Sequence, residues 1–164
     1  MVLPDYLRTG LDAVICGTAV GKRSCERRHY YSGRGNKLWK VLYDTKLTPE
    51  GLSPSDDAKV LEYRLGLTDL VKHNCGSDAT LHRSMFDVEG FKHRILECRP
   101  RFVAFNGKTA AQRYFGKRDL EYGRQDQKIG ETVVFVLPST FGAANWYWNA
   151  DLWHVFAKSV RNCS

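Results

Sequence analysis

Two short segments of this 164-residue sequence combine glycine with small polar side chains, directly after an apolar run. The first is Gly-Thr-Ala-Val-Gly at residues 17–21, and the second is Pro-Ser-Thr-Phe-Gly-Ala-Ala-Asn-Trp at residues 138–146. Glycine lets a ligand approach the backbone and leaves N–H groups available to an anion. The first segment lacks the Gly-Lys-Ser/Thr ending of a phosphate-binding loop and the Gly-x-Gly-x-x-Gly pattern of a dinucleotide site, which argues against both classes.

The net charge of +7 is concentrated in residues 22–40 and 92–118, which carry +6 and +7 against an acidic remainder. On one face of the molecule these segments would form a footprint for a polyanion, most simply nucleic acid. On separate faces they would be ordinary solvated surfaces. His29, Tyr30 and Tyr31 are interleaved with arginines, and aromatic rings among cations can stack on bases while the charges hold phosphates.

Alternating strand and helix patterns indicate the scaffold that positions these segments. Apolar runs predict strands at residues 12–17, 66–71, 101–105 and 132–137. Helical patterns lie between and after them, from Asn36, from Ser53, around 91–98, at 108–115 and at 150–160. Strands separated by helices predict an α/β fold with a parallel sheet and helices on both faces, and residues 1–164 form one domain. Ligands bind beyond the carboxyl ends of such strands, so we expect both glycine-containing segments at one site.

Composition excludes several classes of protein. The sequence is 43% apolar and 26% charged, as expected for a domain with its own core. It has no apolar run of the roughly 18 residues that a membrane helix needs, and its first ten residues lack the apolar centre of a signal peptide. The cysteines are odd in number and form no Cys-x-x-Cys pair, so we expect reduced thiols in a cytosolic protein: Cys16, Cys25, Cys75, Cys98 and Cys163. Nothing has the spacing of metal ligands, and no metal or cofactor is expected.

Five motifs in order resemble the uracil-DNA glycosylase superfamily, most closely its mismatch-specific (thymine/uracil) branch. They are Cys-Gly-Thr-Ala-Val-Gly at 16–21, Gly-Asn-Lys-Leu-Trp-Lys-Val-Leu-Tyr at 35–43, Tyr-Arg-Leu-Gly-Leu-Thr-Asp-Leu at 63–70, Asn-Gly-Lys-Thr-Ala at 106–110 and Val-Leu-Pro-Ser-Thr-Phe-Gly at 136–142. The resemblance covers approximately residues 11–156. It implies a three-layer α/β sandwich whose central sheet has four parallel strands.

The function implied by this resemblance is DNA repair. A member flips uracil out of DNA and hydrolyses its bond to deoxyribose, leaving an abasic site for base-excision repair. The expected partner is single- or double-stranded DNA containing uracil, and we expect a cytoplasmic, nucleoid-associated monomer. The alternative is a protein of the same fold that binds uracil or damaged DNA with little or no hydrolysis. An α/β domain for a free nucleotide is disfavoured by the two basic segments.

The resemblance also implies a base pocket built from both glycine-containing segments. Tyr31 lies at the position of the aromatic residue that stacks on the flipped base, although a tyrosine packed at the sheet edge is the alternative. Ser139 stands where the family has a histidine or asparagine. The expected base-binding residues are Gly17, Ala19, Val20, Gly21, Tyr31, Ser139 and Thr140.

The catalytic assignment departs from the family pattern at Ala19, which occupies the position of the asparagine that holds the hydrolytic water. Three nearby residues are candidates instead. Thr18 can orient a water through its hydroxyl. Histidine is a common general base, so His29 is a candidate for that role, with a surface histidine among arginines as the alternative. Asn145 can reach either the base or the water.

DNA contacts are expected around the pocket mouth. Phe141 or Trp146 is a candidate wedge that fills the gap left by the flipped base, whereas packing of Trp146 against the last helix is the alternative. The full set of expected DNA-binding residues is Lys22, Arg23, Arg34, Lys108, Phe141, Gly142, Ala143, Ala144 and Trp146.

Overall fold

One mixed sheet forms the centre of the computed structural model, which describes residues 1–163. The strands are β1 (Ala13–Val20), β2 (Leu65–Cys75), β3 (Phe102–Asn106), β4 (Gly123–Arg124) and β5 (Val133–Leu137). Their order is β2-β1-β3-β5-β4, and all neighbours are parallel except β4 and β5. The four predicted parallel strands are confirmed. The fifth strand was not predicted, because two residues are too few to show an alternating pattern. The sequence predicts a single domain over residues 1–164, and the last of these, Ser164, lies outside the described residues.

Helices cover both faces of the sheet. They are α1 (Lys22–Arg27), α2 (Leu38–Asp44), a 3₁₀ helix (Pro54–Tyr63), α3 (Val88–Cys98), α4 (Lys108–Phe115) and α5 (Ala150–Asn162). Three further 3₁₀ helices of three residues each lie at Asp78–Thr80, Arg83–Met85 and Asn145–Tyr147. Ile15 is buried on one face with Trp153 of α5, whereas Val14 is buried on the other face with Phe91 of α3. Neighbouring strand residues point to opposite faces, so this alternation confirms the three-layer α/β sandwich. No helix within residues 1–163 is both long and apolar enough to cross a membrane.

Two helix starts follow from local sequence, and two elements differ from the prediction. Ser53 and Asp56 form a capping box around Pro54, and Asp87 caps α3 by accepting a hydrogen bond of 2.9 Å from the Gly90 N–H. The helix after Ser53 is a 3₁₀ helix rather than an α-helix. Helix α1 lies in a stretch expected to be a loop, because its charged sequence shows no apolar stripe.

The expectation that all five cysteines are reduced is wrong for one pair. Cys25 and Cys75 form a disulfide, with their Cα atoms 6.3 Å apart and a sequence separation of 50. Such a long-range pair leaves no spacing signal that a sequence could show. Cys16, Cys98 and Cys163 are free. The disulfide connects α1 to the carboxyl end of β2, beside the site described next.

Candidate active site

A pocket of about 920 Å³ opens at the carboxyl ends of the parallel strands. Gly17 to Val20 of β1, Asp69 of β2 and Asn106 of β3 contribute to its wall, together with Ser139 and Thr140 after β5. This is the place where ligands bind in open parallel α/β sheets. It brings together the two glycine-containing segments, as the sequence predicted.

Strand β1 extends further than expected and forms one edge of the pocket. Its pairing with β2 continues to Val20, whereas its pairing with β3 stops at Cys16. The segment from Gly17 to Val20 is therefore strand rather than loop. On the side of β3 this segment has no strand partner, and that edge faces the pocket. Backbone N–H groups available to a ligand, which the sequence predicts for this segment, are therefore limited to that edge.

Most of the predicted site residues line this pocket. They are Gly17, Thr18, Ala19, Val20, Gly21, Lys22, Arg23, Tyr31, Arg34, Lys108, Ser139, Thr140, Phe141 and Ala144. Five others do not line it: His29, Gly142, Ala143, Asn145 and Trp146.

Two of the three predicted catalytic residues are engaged elsewhere. His29 Nδ1 lies 3.2 Å from Oδ1 of the buried Asp57 and is not part of the pocket wall. Asn145 lies in a short exposed 3₁₀ helix, and its side-chain oxygen accepts a hydrogen bond of 2.5 Å from Lys37 Nζ. Neither side chain is therefore in place to act on a base in the pocket, and the catalytic roles suggested for them have no geometric support.

The predicted wedge stretch is also only partly at the pocket. Trp146 is 95% exposed and does not pack against α5, whereas Phe141 lines the pocket and is 56% exposed. Gly142 is pressed against the loop that carries Arg34, because a side chain there would begin 2.6 Å from the Arg34 carbonyl oxygen. Of the two wedge candidates, Phe141 is thus the one placed both at the pocket and in solvent.

Thr18 is paired with a carboxylate that the sequence analysis missed. Its hydroxyl donates a hydrogen bond of 2.6 Å to Oδ1 of Asp78, and both residues line the pocket. Residues 17–21 contain no acidic group, so Asp78 brings one to this strand edge from the segment after β2. Sequence spacing could not show the pair, because the two residues are 60 positions apart.

Asp69 is a second carboxyl group that the sequence analysis left unassigned. It lies in β2 opposite Gly17, is 3% exposed, and its Oδ2 atom has no hydrogen-bond partner among the described residues. Burial raises its pKa to about 7, against the lowering effects of Lys72, the Gly17 N–H and Arg94. In the sequence, Asp69 lies within an apolar run and is interpreted as part of a strand. Its place in the pocket wall is visible only in the structure.

Tyr31 lies beside Asp69, and its ring is both at the pocket, where a base could stack, and packed against the protein. Its ring lines the pocket and also packs against the core, and its hydroxyl is buried without a hydrogen-bond partner among residues 1–163. Burial and the Asp69 charge hold the pKa of the Tyr31 phenol well above its usual value. The Tyr31 backbone is left-handed, with φ of 53°, and its carbonyl accepts a hydrogen bond from the Trp39 indole. Trp39 therefore helps to fix the ring at the wall.

The segment after β5 is held by Asn106, which was not a predicted site residue. The Asn106 side chain donates to Thr140 Oγ1 and accepts from the Thr140 N–H, both at 2.9 Å. Ser139 Oγ accepts from the Phe141 N–H at 3.2 Å. These bonds fix the pocket wall opposite β1 but leave the Thr140 hydroxyl fully buried rather than directed at a ligand.

Basic residues surround the mouth of the pocket. Lys22, Arg23, Arg34 and Lys108 line it, and Lys108 Nζ lies 4.5 Å from the centre of the Tyr122 ring. Three of these cations come from the basic segment 22–40, whereas Lys108 is the single basic residue that the segment 92–118 contributes. Among residues 1–163 no cluster of three or more His, Cys, Asp or Glu side chains could hold a metal ion.

The fold and pocket together define an α/β protein with a ligand site at the ends of its parallel strands. The model of the uracil DNA glycosylase superfamily matches residues 4–158, and the chain therefore belongs to that superfamily. A solution NMR structure from Methanosarcina acetivorans, provisionally named as a uracil DNA glycosylase, has a similar fold. The two chains are 20% identical with a TM-score of 0.63 over 97% of this chain and 96% of the other, which is evidence about the fold alone.

Proposed function

We propose that this protein is a monofunctional DNA glycosylase that binds uracil flipped out of DNA and hydrolyses its bond to deoxyribose. The observation that carries this proposal is the pocket itself. Family-motif residues line it, two buried polar atoms in its wall lack partners, and cations surround its mouth. Flipping a base costs about a few kcal/mol, and binding of the base in such a pocket can offset that cost.

Catalysis would rest on two groups of atoms. The departing uracil carries negative charge, which polar groups placed at the pocket wall stabilise where it develops. On the other side, Thr18 and Asp78 form a hydrogen-bonded pair that can orient a water molecule. A carboxylate held in this way accepts a proton from the attacking water, and such a group typically contributes about 10²–10⁴ in rate. Asp78 would then supply the function that Ala19 lacks.

A second candidate function is supported by Ala19 itself. Without a side-chain amide at this position, the protein would bind uracil-containing DNA and hydrolyse it slowly or not at all. The two candidates differ in one property, which is whether the carboxylate of Asp78 serves a chemical step.

Asp78→Asn tests this difference directly, because it keeps the shape of the side chain and removes its charge. Single-turnover excision from a uracil-containing duplex should fall by about a hundredfold or more, while affinity for the same duplex changes little. Asp126→Asn, an exposed carboxylate outside the pocket wall, is the matched control. Excision by Asp78→Asn at the parent rate would show that another group activates the water. Binding without excision by the parent protein would favour the second candidate.

A further inference from the structure

The carboxyl group of Asp69 is oriented by the strand beside it. The Gly17 N–H lies near this carboxyl group and acts to lower its pKa. Its Oδ1 atom lies 2.7 Å from the point where a Gly17 side chain would begin, so a Cβ on that residue would displace the carboxyl. The other oxygen, Oδ2, is buried and has no partner within the described chain. Asp69 therefore has one oxygen against the backbone of β1 and one without a partner, and the residue forms part of the pocket wall.

Charged and titratable groups face Asp69 from several elements. They are Asp5 in the N-terminal segment, Cys16 in β1, Tyr30 and Tyr31 in the loop before α2, Lys72 in β2 and Arg94 in α3. The two cations are already paired with Asp5, since Lys72 Nζ lies 2.7 Å and Arg94 Nε 3.2 Å from its carboxylate oxygens. Neither forms an ion pair with Asp69. Desolvation therefore dominates, and the pKa of Asp69 is raised to about 7.

We propose, building on the glycosylase function above, that Asp69 acts in its neutral form and donates a hydrogen bond from Oδ2 to a carbonyl oxygen of the flipped base. Oδ1 lies against Gly17 and Oδ2 has no partner among the described residues, so we place the acid proton on Oδ2. Uracil offers a carbonyl oxygen where cytosine offers an amino group, so a fixed donor favours uracil. A neutral carboxylic acid is a known type of donor to a developing oxyanion, and the carbonyl oxygens of uracil gain charge as the base leaves.

The test compares the pH dependence of single-turnover excision by the parent protein, Asp69→Asn and Asp69→Leu. The parent rate should be constant below the pKa of Asp69 and fall about tenfold per pH unit above it, because the donor is lost on ionisation. Asp69→Asn keeps an N–H donor that does not titrate. Its rate should be about tenfold lower at pH near 6 but independent of pH, so that it exceeds the parent rate near pH 9. Asp69→Leu, with no donor, should lose about 10²–10³ in rate at every pH.

Two results would overturn the proposal. One is a parent rate that rises with pH through neutrality together with an inactive Asp69→Asn, which would make Asp69 a general base. The other is an identical pH profile for the parent and Asp69→Asn. Asp69→Asn also reports the pH effects of all other groups, and melting temperatures of the three proteins show whether any variant has failed to fold.

Binding separates this proposal from the glycosylase function. The probe is a duplex with 2′-fluoro-2′-deoxyuridine, in which cleavage is slowed, and the reference is the same duplex with cytosine. One outcome is that the parent prefers the uracil analogue, loses this preference with rising pH, and does not excise ordinary uracil, while Asp69→Asn keeps the preference at all pH values. This outcome would refute the glycosylase function and support the donor role of Asp69. Excision with a pH profile unaffected by Asp69→Asn would support the glycosylase function and refute the donor role of Asp69. No excision and no such preference at any pH would refute both.

Discussion

At the scale of single residues, the site depends on which polar atoms the fold leaves unpaired. Tyr31 and Asp69 approach the same point, since Tyr31 Oη and Asp69 Oδ1 lie 3.3 and 2.7 Å from the position of a Gly17 Cβ. A larger residue than glycine would therefore separate the strand from both side chains. Gly17 and Tyr31 could be identified from the family resemblance, but Asp69 could not, because its role depends on burial and on an unfilled hydrogen bond.

Tyr31 offers a test of base stacking at this scale. Tyr31→Phe removes a buried hydroxyl that has no partner, so we expect an equal or higher melting temperature and retention of most excision. Tyr31→Ala removes the ring and should lower the single-turnover rate about tenfold or more, since stacking on a base contributes about 1–3 kcal/mol. Both quantities are measured on the same preparations. Loss of activity in Tyr31→Phe as large as in Tyr31→Ala would assign the function to the hydroxyl instead of the ring.

At the scale of elements, the apolar runs predicted the four parallel strands and the sequence motifs predicted which segments meet at their ends. The elements that the sequence did not predict are short or irregular. Helix α1 and strand β4 have six and two residues, too few for a periodic pattern to be visible. The pairing of His29 with Asp57 also lay beyond the sequence, because it depends on how the 3₁₀ helix packs against a loop 28 residues away.

The Cys25–Cys75 disulfide gives a prediction about these elements. A cross-link that closes a loop of 50 residues is expected to stabilise the fold by about 4 kcal/mol, mainly by restricting the unfolded chain. Reduction, or replacement of both cysteines by serine, should therefore lower the melting temperature by several degrees or more. The measurement is thermal unfolding with and without reductant. The double-serine variant is the control, because its melting temperature should not respond to reductant. A parent protein that also does not respond would contradict the disulfide.

At the scale of the whole molecule, the charge distribution is less simple than the sequence suggested. The two basic segments do not form one continuous face at the pocket, because Lys108 is the single basic residue of 92–118 that lines it. Several other cations are committed to local contacts, such as Lys40 with Asp44 and Arg94 with Asp5. Net charge is readable from a sequence, but the face on which each charge lies depends on the fold.

Salt dependence tests the remaining basic rim. If Lys22, Arg23, Arg34 and Lys108 each contact a phosphate, the log–log slope of affinity for undamaged duplex against salt should be roughly −3 to −4. Replacing Arg23 and Arg34 by alanine should reduce the magnitude of the slope by about 2. Arg101→Ala is the control, because Arg101 precedes β3 at the opposite end of the strand from the pocket. An unchanged slope in the double variant would remove the rim from the DNA interface.

The central claim is that the pocket excises uracil, and excision from a defined duplex tests it most directly. An end-labelled duplex with one uracil is incubated with excess protein, and abasic sites are then cleaved with alkali. We predict a break at the uracil position that appears only after alkali, and no break in the matched duplex carrying cytosine. An intact uracil strand after alkali, under conditions where the protein binds that duplex, would contradict the claim.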